Sequence, residues 1–369
     1  MAPFTLFVQQ LTLPALVIHG GAGAYLKTTT RGQRLERGRT LADVARRGHR
    51  VFPEGGARGA VLAAMARLER DPTFNAGYGS RLQQDGVARL SAALMDGRTT
   101  RLSAVYNVQD CLHPSVLCDA LQDRGDRNLD GEGATQLMEE LAMATVDVVT
   151  PQTRERWQKL IATGDGADRE AAIGSAGEEE LDLARALRIP IPKDLEDEDG
   201  VAGDESTKPP SQEPHGEPAD PAAAGLPPPE DRYGTVGAVA CGADGDLWAC
   251  TSTGGRGHEA VGRVSDTPTA TGNYACPAVA LSATGFGEQI MDLNLCGRVA
   301  TRLLDGASLE QALTTTFEEV AAFDGLVGVI AITPDGVAGY AHSTEACGVA
   351  WVDGSGALHV DQHGDDRTG

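Results

Sequence analysis

The chain has 369 residues, 41% of them hydrophobic, enough to bury a sizeable core as one large domain or two ordinary ones. Its 53 acidic and 31 basic residues give a formal charge of −22, which argues against non-specific nucleic-acid binding and against docking on anionic membranes. No stretch approaches the roughly 18 apolar residues of a spanning helix, and the opening MAPFTLFVQQLTLP lacks a basic segment and breaks at Gln9 and Gln10, unlike a secretory signal.

Seven cysteines, at 111, 118, 241, 250, 276, 296 and 347, form an odd set without a CxxC pair. That usage points to reduced, mostly buried thiols in a cytoplasmic protein. The eight histidines show no HExxH or other ligand spacing, so no catalytic metal is expected.

Along the chain, the apolar run Ala15-Leu16-Val17-Ile18 predicts a buried strand that enters a glycine-rich turn at His19-Gly20-Gly21-Ala22-Gly23. From Gly55 to Arg70, apolar residues at helical spacing (Ala60, Val61, Ala64, Met65, Leu68) predict a helix that ends near Asp71-Pro72. Phe74 to Ser80 reads as a glycine-punctuated loop, and Ala88 to Met95 as a strand that stops at Asp96-Gly97. Residues 193–232 then hold twelve acidic against three basic residues and eight of the 19 prolines. Such a segment buries too little apolar surface to offset its ordering entropy, so a disordered or solvated linker is expected.

At the linker's downstream edge the chain turns apolar, as Gly234-Thr235-Val236-Gly237-Ala238-Val239-Ala240-Cys241. A turn signal at Ala243-Asp244-Gly245-Asp246 and a return strand, Leu247 to Thr251, complete a predicted hairpin. With Asp244 and Gly245 as its central residues, Thr235 would face Gly254, with Thr253 beside that position. Thr235 has two readings. It is an ordinary strand residue after a loop, or it is a nucleophile created by cleavage of the Gly234–Thr235 bond. In the second case its own α-amine, with a reference pKa of roughly 7.7–8.0, serves as the base.

Further on, Gly262-Arg263-Val264-Ser265-Asp266 sets a guanidinium and a carboxylate three residues apart. The pair suits a substrate with both an α-carboxylate and an α-ammonium, although a surface ion pair would look the same. Val279-Ala280-Leu281 leads into Ser282-Ala283-Thr284-Gly285-Phe286-Gly287-Glu288, whose exposed backbone N–H groups and hydroxyl suit an oxyanion hole, or an ordinary turn.

Taken in order, HGGAG from His19, LERDPTFNAGYGS from Leu68, MDG from Met95, GTVGAV from Gly234, TSTGG from Thr251, GRVSDTP from Gly262, ATGFGE from Ala283 and STE from Ser343 form a specific set. The chain thereby resembles the plant-type (type III) asparaginases, or isoaspartyl peptidases, of the Ntn-hydrolase superfamily. The resemblance implies an α+β fold, a four-layer αββα sandwich, and self-cleavage into an α chain (1–234, ending in the acidic linker) and a β chain (235–369) that remain together as one domain. It implies hydrolysis of β-aspartyl dipeptides and L-asparagine, with Thr235 as nucleophile, Thr253 polarising it and Asn75 orienting it. Arg263 would hold the substrate α-carboxylate, Asp266 and the Gly287 backbone its α-ammonium, and Thr284 with Gly285 the oxyanion. No cofactor is implied beyond a structural sodium on backbone carbonyls of the 68–78 loop. The implied partners are a small-molecule or dipeptide substrate and a second copy, giving a dimer of αβ heterodimers, with neither nucleic acid nor membrane.

Two departures from the family pattern bear on substrate preference. Ser91 stands where the family carries an acidic residue, and Val327 interrupts a glycine pair in Gly325-Leu326-Val327-Gly328. Two related readings are glycosylasparaginases, expected to carry STNG where this chain has Ser252-Thr253-Gly254-Gly255, and threonine aspartases, disfavoured by Asp266. A third is a catalytically silent scaffold whose acidic segment recruits a basic partner.

Overall fold

The computed structural model describes residues 3–23, 31–163 and 234–361, and the acidic segment 193–232 lies outside them. The described residues fold as α+β. Strand β1 (Thr5–Gln10) and strand β2 (Ala15–Gly23) come first, followed by helices α1 (Arg31–His49) and α2 (Phe52–Arg70). Next are β3 (Leu90–Asp96), β4 (Arg101–Val108), α3 (Pro114–Leu121), β5 (Asn128–Leu129), α4 (Gly131–Glu140) and α5 (Pro151–Thr163). The part from Gly234 onward supplies β6 (Val236–Cys241), β7 (Leu247–Thr253), β8 (Asn273–Cys276) and β9 (Val279–Gly285). Helices α6 (Gly287–Leu293), α7 (Leu295–Leu304) and α8 (Leu309–Ala321) follow, then β10 (Val327–Ile332), β11 (Val337–His342), β12 (Ala346–Val352) and β13 (Leu358–Asp361).

The strands form a five-stranded sheet, β1-β11-β10-β9-β8, and an eight-stranded sheet, β13-β12-β2-β6-β7-β3-β4-β5. Side chains alternate between faces along each strand. Leu16, Ile18, Val236, Ala238, Ala240, Trp248 and Cys250 pack with α1–α4 in one core. Val17, Val239, Cys241, Leu247 and Ala249 point the other way, and share a second core with Ala280, Ile330 and Ile332 of the five-stranded sheet. A third core joins Leu281, Ala283 and Val329 to α6–α8. Strands covered on both faces read as continuous apolar runs, which is why Ala15–Ile18 and Val236–Cys241 lack alternation.

Several expectations are corrected in detail. HGGAG is no turn, because β2 runs on to Gly23, with Ala22 and His19 still paired to β12. The glycines let two backbones approach: Gly21 (φ +107°) lies against Gly234. Helix α2 begins at Phe52, three residues early, with Pro53 in its first turn and a kink at Gly56 (φ +59°). The β6–β7 hairpin closes on the Gly242–Asp246 pair around a three-residue loop, with Gly245 left-handed at φ +81°. Its register pairs Val236 with Ser252, one step off the two-residue-turn expectation. All seven cysteines are buried and none forms a disulfide. No helix among the described residues is long and apolar enough to cross a membrane.

Candidate active site

Because Val236 faces Ser252, the next step along the ladder sets Thr235 opposite Thr253. Directly opposed residues share a face, and both threonines extend the stripe of Val239 and Ala249 into the space between the sheets. Thr235 donates its hydroxyl to Thr253 Oγ1 at 3.2 Å, and Thr253 Oγ1 also accepts the Gly255 N–H at 3.2 Å. Both side chains are buried.

From the facing sheet, Thr284 on β9 brings its hydroxyl 3.5 Å from the Thr235 carbonyl oxygen and accepts the Ala22 N–H at 3.2 Å. Gly285 has φ +133°, and a Cβ there would lie 2.4 Å from the Leu326 carbonyl oxygen, so no other residue fits that strand end. Beneath the threonines, His19 Nε2 lies 2.9 Å from Ser282 Oγ, which lies 2.6 Å from Thr251 Oγ1. A side chain on Gly237 would occupy this contact. Burial pushes the His19 imidazole down to about 3, so the ring is neutral and orders the layer without adding charge.

Asn75, in the loop after α2, donates to the Gly255 carbonyl and accepts the Arg81 N–H at 3.0 Å. It packs against Gly234, where an added Cβ would lie 2.7 Å from the Asn75 Cβ. Its amide thus holds Gly255, just after Thr253, and the Arg81 N–H, while its Cβ packs on Gly234, and it does not bond the Thr235 hydroxyl itself. Glu69, at the end of α2, joins that loop to α3: its carbonyl accepts the Tyr78 N–H at 2.7 Å, and its buried carboxylate accepts Ser115 N–H and O–H at 3.1 and 2.7 Å.

Arg263 and Asp266 line the same narrow cleft as Thr235, Thr253 and Gly285. Gly287 closes it, because a Cβ there would lie 2.8 Å from both Arg263 Nη2 and Asp266 Oδ1. Asp266 is buried and its Oδ2 has no hydrogen-bond partner. Burial pushes its carboxyl up to about 7, against the downward pull of the Arg263 charge. Such an orphaned carboxylate suits a cationic ligand group. Burial works to lower the Arg263 pKa, yet the hydrogen bonds and charge of Glu288 outweigh it and the pKa is raised. Among the described residues no group of three or more His, Cys, Asp or Glu could hold a metal ion.

The sequence singled out the threonines, Arg263 and Asp266, and these converge. It missed three residues at the cleft, two of which support the Arg263 segment. Glu288 grips Arg263 through two hydrogen bonds of 2.9 and 2.8 Å. Gln83 accepts the Gly262 N–H at 2.8 Å, fixing the backbone just before Arg263. Arg256 lines the cleft. Of these, only Glu288 lay in a recognised motif. Ser91, opposite Thr253, accepts the Asn107 N–H at 3.1 Å, and the Asn107 side chain donates to the Gly262 carbonyl at 2.9 Å. Val327 faces Gly285 and donates its N–H to Ser343 Oγ at 3.0 Å. Both departures therefore abut the segments that carry Arg263 and Gly285 into the cleft.

A sequence model of the family described as Asparaginase matches residues 12–361. An isoaspartyl peptidase/L-asparaginase of Nostoc sp. is 31% identical over 92% of each chain. An enzyme of the same name from Synechocystis sp. is 32% identical over 88% of this chain and 83% of its own. The isoaspartyl peptidase of Salmonella typhimurium is 30% identical over 91% and 94%.

Proposed function

The chain belongs to the asparaginase family, and we propose that it is a self-processing threonine amidohydrolase that releases L-aspartate from β-aspartyl dipeptides and L-asparagine. The observation that carries this reading is the Thr235–Thr253 hydroxyl pair at 3.2 Å in one cleft with Arg263 and Asp266. In maturation the Thr235 oxygen attacks the Gly234 carbonyl carbon, the C–N bond breaks with the proton passing to the new amine, and water hydrolyses the ester. In turnover the amine takes the hydroxyl proton as Thr235 attacks the substrate side-chain carbonyl. The oxyanion forms beside Thr284 and Gly285. Ammonia or an amino acid leaves with that proton, and water then frees aspartate from the acyl-enzyme.

Arg263 takes the α-carboxylate; Asp266 and the Gly287 backbone take the α-ammonium. Thr253 polarises the nucleophile, and Asn75 steadies the chain around it. The succession of three buried cores supports the αββα layering that the resemblance implies. A structural sodium on the 68–78 loop is supported by the Pro72 and Phe74 carbonyl oxygens converging on Gly79, where a Cβ would lie 2.8 Å from each. It would tie the loop and take no part in the chemistry. The same family reading carries the dimer of αβ heterodimers.

The test is mass spectrometry and a substrate panel on the purified protein. The expected result is a β chain that begins at Thr235 and hydrolyses L-asparagine and β-aspartyl dipeptides, with Thr235→Ala uncleaved and inactive. A β chain with another N-terminus, or one intact band without turnover, overturns the reading. Asp266 favours a free α-amino group, and so a small substrate over an aspartate inside a protein.

A further inference from the structure

Beyond the groups that any aspartyl substrate requires, the cleft is lined by a second cation, Arg256. Its main chain is fixed from both sides: its N–H donates to Glu259 Oε1 at 3.1 Å, and its carbonyl accepts from Arg81 Nη1 at 3.0 Å. The neighbours Gly255 (φ +81°) and Gly257 (φ +88°) hold conformations that side chains strain to adopt. A Cβ on Gly255 would also lie 2.0 Å from Glu259 Oε1. The loop thus presents residue 256 from one fixed place. The guanidinium lies 5.6 Å from the centroid of the Phe286 ring and within electrostatic reach of Glu288. The side chain therefore crosses to the turn that carries Gly287, alongside the groups that hold the substrate.

Asparagine brings one carboxylate and loses ammonia. A β-aspartyl dipeptide brings a second carboxylate, on the amino acid that leaves. With Arg263 engaged by the first, that second carboxylate would lie in a cleft lined by the buried Asp266 carboxylate, with no further cation than Arg256 to receive it among the described residues that line the cleft. A cation placed there removes the repulsion and supplies a charge-assisted hydrogen bond. Resting on the amidohydrolase reading above, we propose that Arg256 is the subsite for the free carboxylate of the departing amino acid, which makes this cleft selective for β-aspartyl peptides with an unblocked C-terminus.

The experiment compares L-asparagine, β-aspartyl-leucine and its C-terminal amide as substrates of the processed parent enzyme, Arg256→Gln and Arg256→Lys. The parent should prefer the free dipeptide to the amide by about tenfold or more in kcat/KM, a comparison that needs no variant. Arg256→Gln should lose about tenfold on the free dipeptide and stay within about twofold on asparagine and the amide. Arg256→Lys should recover part of the loss. Equal losses on all three substrates, or a parent indifferent to amidation, would overturn the subsite while leaving the amidohydrolase intact. Failure of the parent on all three would overturn the function itself, and the subsite with it.

Discussion

Arg263 and Glu288 are locked face to face, with the guanidinium Nε and Nη2 on the two carboxylate oxygens at 2.9 and 2.8 Å. In the proposed reading, the Nη1 end of the fork is the one that would meet a substrate carboxylate. Glu288→Gln puts an amide NH2 against one guanidinium donor and frees Arg263 to rotate. The KM for L-asparagine should rise about tenfold with kcat changed far less, since hydrogen bonds to charged groups contribute about 1.5–3 kcal/mol. Steady-state kinetics on processed enzyme checks the split; an unchanged KM removes Glu288 from the site's support.

Asp266 must be ionised to pair an α-ammonium, and burial pushes its carboxyl up to about 7. The kcat/KM for L-asparagine should therefore climb as pH rises through about 7 and level off above it. A flat profile from pH 5 to 8 would refute the assignment.

The same carboxyl has a stability consequence of opposite sense. Its folded pKa is raised, so it contributes stability below its unfolded value of 3.8 that is lost as pH rises towards about 7. Asp266→Asn should melt higher than the parent at pH 8 and lose that advantage at pH 4, while losing activity. Melting curves at the two pH values give the comparison.

Thr253→Val removes the acceptor for the Thr235 hydroxyl and for the Gly255 N–H but keeps the strand's shape. Self-cleavage and kcat should each slow by about a hundredfold, with Thr253→Ser close to the parent. A valine variant that matures at the parent rate would show the contact to be incidental.

Gly237→Ala places a methyl 1.9 Å from Ser282 Oγ and 2.4 Å from His19 Nε2. Overpacking of this kind costs about 1–3 kcal/mol, so the melting temperature should drop by several degrees. An unaltered melting temperature would mean that the sheets separate easily at this level.

The apolar runs of β2 and β6 and the spacing in α2 announced those elements, because burial and periodicity are local properties. Register is a different matter. A two-residue turn around Asp244-Gly245 would have set Thr253 on the opposite face from Thr235; the three-residue loop brings the two hydroxyls onto one face. HGGAG looked like a turn because glycines mark turns, yet here they let β2 pass close to Gly234. Gln83 and Arg256 carried no signal, since their partners Gly262 and Phe286 become neighbours only through the fold.

The hairpin β6–β7 lies between β2 and β3, strands that precede the proposed cut. Breaking the Gly234–Thr235 bond would release an end without releasing a strand. Were residues 235–369 made alone, β6 and β7 would each present a bare row of N–H and C=O groups, a template for aggregation. The intact chain is then the unit that must leave the ribosome and fold. The catalytic amine would exist only in molecules whose sheet has already closed around the hairpin, so every active enzyme would carry in its own cut end the record of having folded.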